Sequence, residues 1–105
     1  MKPGGGRAKG AAFEREVAEA VRVRWPEAKR GLGQARSGRE AADVEGTPYW
    51  VQCKHGARPN ILAAYEQGCQ DTDGRAVVVV TRRDRGPTLV TVALTDWLAL
   101  HGERA

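Results

Sequence analysis

At 105 residues and 41% hydrophobic, the chain has material for one modest core and too much apolar character to stay disordered. Lys and Arg total 17 against 13 Asp and Glu, a net charge of +4, which admits a polyanionic partner without requiring one. Two cysteines, Cys53 and Cys69, are too few for a disulfide scaffold and form no C-x-x-C pair. No apolar run reaches the length of a membrane span, and no apolar run of a signal peptide follows the basic, glycine-rich start. The expectation is a protein of a reducing, cytoplasm-like compartment with no membrane partner.

Residues 1–10, MKPGGGRAKG, read as a flexible basic N-terminal arm, and residues 11–105 as one domain. Residues 11–25 read as a helix stopped by Pro26. At about 100° per residue, with Phe13 at zero, Val17, Val21 and Trp25 fall near 40°, 80° and 120°. Glu14 falls near 100° on the same scale, among these apolar side chains, while Arg15, Glu16, Glu19 and Arg22 lie on the open face. A carboxylate on an inward edge calls for a partner or a metal, although a helix-start carboxylate favoured by the dipole explains it better when read alone.

Residues 27–40 are glycine-rich and irregular, with room for a short edge strand near 32–36. Residues 41–45 and 49–54 read as two strands of a hairpin joined by Glu45-Gly46-Thr47-Pro48. Asn60 caps a following helix in which Ile61, Leu62, Tyr65 and Cys69 have helical spacing. Val77–Val80 is a β-branched run suited to a strand buried on both faces. Residues 88–94 form another strand, and Thr95-Asp96 cap a last helix. Its Trp97 and Leu98 either close the core or form a dimer face. The order predicts an α/β single domain: a central mixed sheet flanked by helices, with an αβββαβ core plus an extra strand and a C-terminal helix.

Strand alternation places Trp50, Gln52 and Lys54 on one face and Val51 and Cys53 on the other. If the hairpin pairs Glu45 with Pro48, Asp43 lies opposite Trp50 and joins Gln52 and Lys54; a one-residue slip would undo this. Such a group suits phosphodiester cleavage. Asp43, the Gln52 amide oxygen, the Cys53 backbone carbonyl and Glu14 offer the oxygen ligands that a hard divalent ion prefers. The ion would activate water and stabilise phosphate charge, with Lys54, lowered in pKa if buried, orienting the water or moving a proton. His55, alternating to the other face, reads as a polar strand-end residue, and His101 as exposed.

The runs KGAAFEREVAEAV, ARSG and AADVEGTPYWVQCK resemble the archaeal Holliday-junction resolvases of the PD-(D/E)XK nuclease superfamily over roughly residues 9–80. The resemblance implies a restriction-endonuclease-like fold. It implies catalytic roles for Glu14, Asp43, the residue at Gln52 and Lys54, and DNA contacts by Arg15 and Arg36. Gln52 departs from the resolvase Glu but looks like the Gln of Mrr-type restriction nucleases. Arg7, Lys9, Ser37 and Arg58 join Arg15 and Arg36 as candidate DNA-binding residues, and Arg30 and Arg39 could also track phosphates around the cleft. The expected function is a Mg²⁺-dependent DNA endonuclease (Mn²⁺ substituting), structure-selective and resolvase-like. It would act as a homodimer on branched DNA with no small-molecule cofactor. The alternatives are an Mrr-like or nicking nuclease on ordinary duplex, or a non-catalytic nucleic-acid-binding module on the same scaffold.

Overall fold

A computed structural model describes the backbone of residues 3–31 and 41–102, and the side chains of residues 10–31 and 41–102. The elements run α1 (Pro3–Val21), β1 (Lys29–Arg30), β2 (Val44–Glu45), β3 (Trp50–Gly56), α2 (Ile61–Asp71), β4 (Val77–Arg83), β5 (Thr88–Val92) and α3 (Leu94–Gly102). The strands form one mixed sheet in the order β1-β2-β3-β4-β5. Only β3 and β4 are parallel, joined through α2; the other neighbours are antiparallel. This is the α/β single domain that the element order predicts.

Helix α1 begins at Pro3, so most of the expected arm is helical backbone. Proline suits the first helical position, and once later turns pack, adding residues to an existing helix is cheap. The helix ends at Val21 rather than Trp25. The Arg24 and Trp25 amides both donate to the Val21 carbonyl, at 3.0 and 2.9 Å, which closes a turn ahead of Pro26. The first strand is β1 at Lys29–Arg30; the edge strand expected near 32–36, with Arg36 and Ser37, lies outside the described residues.

Two apolar layers sandwich the sheet. On the α1 side, Phe13, Val17 and Ala18 pack with Val44, Val51, Cys53, Val78 and Val80. On the α2 side, Ala64 packs with Ala42, Trp50, Val77 and Val79. β4 is thus buried on both faces, and full burial of a valine such as Val79 stabilises the fold by roughly 1.5–3 kcal/mol. In α2, Asn60 caps as expected, accepting from the Ala63 amide at 3.0 Å. The inward residues are Ala64 and Gly68, however, and Ile61, Leu62 and Cys69 are exposed. The small residues let the helix come close: a Cβ on Gly68 would lie 2.6 Å from Val77 Cγ1.

The β2–β3 turn is held from the segment just ahead of β4. Arg75 Nη1 donates to Glu45 Oε1 at 2.9 Å and to the Tyr49 carbonyl at 3.2 Å, and its guanidinium lies over the Trp50 ring. Gly46 takes φ +88° where a Cβ would meet the Glu27 carbonyl at 2.5 Å, so glycine is required there. At the opposite edge, β5 and α3 leave Leu89, Val90, Leu94, Trp97, Leu98 and Leu100 exposed. α3 starts at Leu94, one residue before the expected cap, and buries no residue. His101 is exposed, as expected, and edges onto Trp97. No helix among the described residues is long and apolar enough to cross a membrane.

Candidate active site

Asp43 is placed by its backbone. Its carbonyl accepts from the Gly31 amide at 2.8 Å, and its own amide donates to the Val51 carbonyl at 2.9 Å. A Cβ on Gly31 would fall 1.8 Å from the Ala42 carbonyl oxygen, so this approach needs glycine. Glu45 Oε2 accepts from the Ala42 amide at 2.9 Å, which carries the grip of Arg75 on Glu45 through to the residue before Asp43.

The hairpin register pairs Val44 with Val51, two residues away from the expected one. An even shift preserves which face each residue serves. Asp43, however, precedes the regular ladder. Its carboxylate turns to the α1 side, where Oδ2 accepts from the Cys53 amide at 2.8 Å. Glu14, on α1, reaches the same place and is held by Arg30 of β1 at 2.8 Å. Together with Phe13, Cys53, Lys54 and His55 they line a pocket of about 340 Å³.

Burial raises the Asp43 carboxyl above its ordinary pKa. The Cys53 amide opposes that shift, the Glu14 charge adds to it, and Lys54 and Arg30 oppose it. Burial also pushes the Cys53 thiol well up, reinforced by the Asp43 and Glu14 charges, so Cys53 is an inert thiol. Its amide points toward Asp43, and in an extended strand its carbonyl lies along the same edge of β3.

Gln52 does not join this group. Its Oε1 accepts from Trp50 Nε1 at 2.9 Å on the α2 face, buried beneath Gly68. Alternation along β3 separates it from Cys53, and the turn of Asp43 toward the α1 face separates it from Asp43. Lys54 is exposed at the end of the strand, not buried, and reaches the pocket rim.

Arg15 is exposed on α1, and Arg58 is exposed before α2. Arg7 and Lys9 lie on the backbone of α1, but their side chains fall outside the described residues.

Two residues matter more than the sequence reading allowed. His55 walls the pocket, its ring stacked on Phe13 at 5.2 Å between centroids. Alternation puts it on the face of Cys53, and only the turn of Asp43 makes that the face of the site. Arg30 is the ion partner of Glu14, and no helical or strand period connects those two residues.

The donors suit a hard divalent ion in part. Asp43 and Glu14 each commit one carboxylate oxygen to a hydrogen bond, leaving the other with no partner among the described residues. Burial is the main cause of the raised Asp43 pKa, with the Glu14 charge adding to it, and a bound cation would offset both; the Cys53 carbonyl edge is adjacent. Among the described residues, no three His, Cys, Asp or Glu side chains converge as a ready metal cage. Comparison with protein-family models, with curated proteins and with solved structures gives no match.

Proposed function

We propose that the chain is a metal-dependent DNA endonuclease of the PD-(D/E)XK type, resolvase-like in selecting branched DNA. The observation that carries this reading is the meeting of Glu14 of α1, Asp43 just ahead of β2 and Lys54 of β3 in one pocket, although they lie far apart along the chain. Glu14, Asp43 and the Cys53 carbonyl would hold Mg²⁺ or Mn²⁺, with water completing the shell. The ion supplies Lewis-acid stabilisation of phosphate charge and a readily ionised water. Lys54 places an ammonium at the mouth of the pocket, where it orients the nucleophile and meets negative charge developing on the phosphate. Arg30 holds Glu14, and the Cys53 amide holds Asp43, so each carboxylate is fixed before substrate arrives.

A homodimer follows from the need to cut two strands, and the exposed Leu94, Trp97, Leu98 and Leu100 of α3 are the apolar surface that would support one. The test is incubation of the protein with four-way junction, nicked, flapped and linear DNA in Mg²⁺ or Mn²⁺. The junction should be cut fastest, and Asp43→Ala or Lys54→Ala should slow cutting about 100-fold or more. Linear duplex cut as fast as the junction would shift the reading to a Mrr-like or nicking enzyme. No cutting of any substrate ends the enzyme reading.

The position of Gln52 favours a second reading. With its amide oxygen taken by Trp50, the donor set is one short, and a binding module on a nuclease scaffold would show this geometry. That module binds DNA equally in EDTA and in Mg²⁺ and cuts nothing.

A further inference from the structure

The β3–α2–β4 crossover leaves a second opening at the carboxyl ends of its two parallel strands, a cleft of about 600 Å³ at the head of α2. In open α/β sheets this crevice is where ligands settle. α2 has 11 residues, and Asn60 caps only the Ala63 amide, so the Ile61 and Leu62 amides have no partner among the described residues. A helix start with free amides favours an anion, but it does not make a site by itself.

The second observation is Thr81. It is 3% exposed, lies on the α2 face with Val77 and Val79, and lines the cleft. Its hydroxyl has no hydrogen-bond partner among the described residues, yet no fully occluded side-chain polar atom there is unsatisfied, so that hydroxyl keeps some access to solvent, and the opening that Thr81 lines is the cleft. Two guanidinium groups, of Arg58 and Arg83, share the lining. Arg83 Nε donates to the Ala57 carbonyl at 3.3 Å, which leaves its terminal nitrogens for a ligand; Arg58 makes no hydrogen bond among the described residues. The one carboxylate among the described lining residues, Asp84, is on the rim with its side chain 66% exposed and its Oδ1 4.0 Å from His55 Nε2. Two arginines and a helix start outweigh it.

We infer that this cleft binds a phosphodiester group of the DNA strand, with Thr81 Oγ1 and the first amides of α2 donating to the phosphate and Arg58 and Arg83 neutralising it. The inference rests on the DNA-endonuclease reading for the identity of the anion. Thr81 is the ladder partner of Lys54 across β3 and β4, so cleft and pocket lie at the same end of the sheet, one on each face, with Lys54 at the rim of the pocket. A polymer carrying phosphates at regular intervals engages both, whereas a free anion gains from only one. The cleft would hold a neighbouring phosphate while the pocket takes the reacting one.

The test measures binding of a fluorescent four-way junction to the full chain in EDTA over a range of salt, for wild type, Thr81→Ser, Thr81→Val and Arg58→Ala. Thr81→Ser should retain affinity. Thr81→Val should lose about three- to tenfold in affinity while melting no lower than wild type, since it removes a buried hydroxyl that has no partner in the free protein. Arg58→Ala should reduce the slope of log affinity against log salt by about 0.9. Wild-type affinity and slope in both Thr81→Val and Arg58→Ala overturn the cleft, even if the protein cuts DNA. Binding that depends on Thr81 and Arg58 with no cutting in Mg²⁺ keeps the cleft and removes the nuclease. If inorganic phosphate shifts the amide resonances of Ile61 and Leu62 while the junction does not bind, the site takes free anions and the assignment to DNA fails.

Discussion

Alternate residues of β3 serve two faces of unlike construction. On the α1 face, Val51, Cys53 and His55 meet large side chains, Phe13 and Val17, and the helix stands off far enough to leave a charged pocket at the strand's end. On the α2 face, Trp50 and Gln52 meet Ala64 and Gly68, and the helix backbone comes down onto the sheet. The second face is filled by a closed hydrogen bond between the indole and the amide. The size of the helix side chains thus decides where the site can open. What removes Gln52 from the carboxylates is the face it is on and the approach of Gly68, not the change from acid to amide.

The α1 face should be the more costly to damage. Phe13 is 2% exposed, stacks on His55 and lies under the Arg82 guanidinium. Phe13→Ala should cost about 3–5 kcal/mol in urea denaturation. A loss under about 1 kcal/mol would mean that α1 is not the principal cover of the sheet.

Gln52→Glu sharpens the comparison from the other side. It introduces an acid at the position where the resolvase motif carries one, but places it in the dry space under α2. The variant should lose roughly 1–3 kcal/mol at pH 8, because an ionised carboxylate there has only the indole to face. Burial raises the pKa of such a group, so the loss should shrink as the pH falls and the carboxyl takes up its proton. Titration calorimetry with Mg²⁺ should show no gain in affinity. Tighter metal binding at unchanged stability would put residue 52 at the pocket and merge the two faces.

Much of this arrangement was legible in the sequence. The apolar spacing of Phe13, Val17 and Val21, the valine run of β4 and the Asn60 cap each report a local rule, and local rules gave the element order. Alternation along β3 also assigned Gln52, Cys53 and His55 to their faces. What alternation could not reach was Asp43, because it stands just before the paired part of β2, where the backbone is held by Gly31 and Val51 rather than by a regular ladder. One turned side chain brought Asp43 to the His55 face, and Lys54, which alternation assigns to the Gln52 face, meets it at the rim of the pocket. The Arg30–Glu14 pair and the Arg75–Glu45 grip join residues far apart in the chain, and no pattern in the sequence marks them. The inward choice of Ala64 and Gly68 over Ile61 and Leu62 was likewise hidden, since hydrophobic spacing favours the larger residues while close packing of helix on sheet favours the smaller.

The smallest expected effect is the one that most directly probes the charge at the pocket. Asp43 carries a carboxyl whose pKa is raised in the folded protein, first by burial and then by Glu14. The folded state therefore binds that proton more tightly than the unfolded chain does. The stability this contributes is fully present below the ordinary carboxylate range and is lost as the pH rises through the raised value. Above that window, ionised Asp43 is a net cost to the fold when no cation is present. Asp43→Asn keeps the shape and can still accept from the Cys53 amide, so in EDTA at pH 7 it should melt above wild type. The advantage should vanish toward pH 3, where Asp43 is already protonated. Mg²⁺ should raise the wild-type melting temperature, because an ion bound only to the folded state stabilises it, and should raise that of Asp43→Asn much less. A variant less stable than wild type in EDTA at pH 7 would mean that the charge-assisted bond to Cys53 outweighs burial, and that the pocket is settled without a metal.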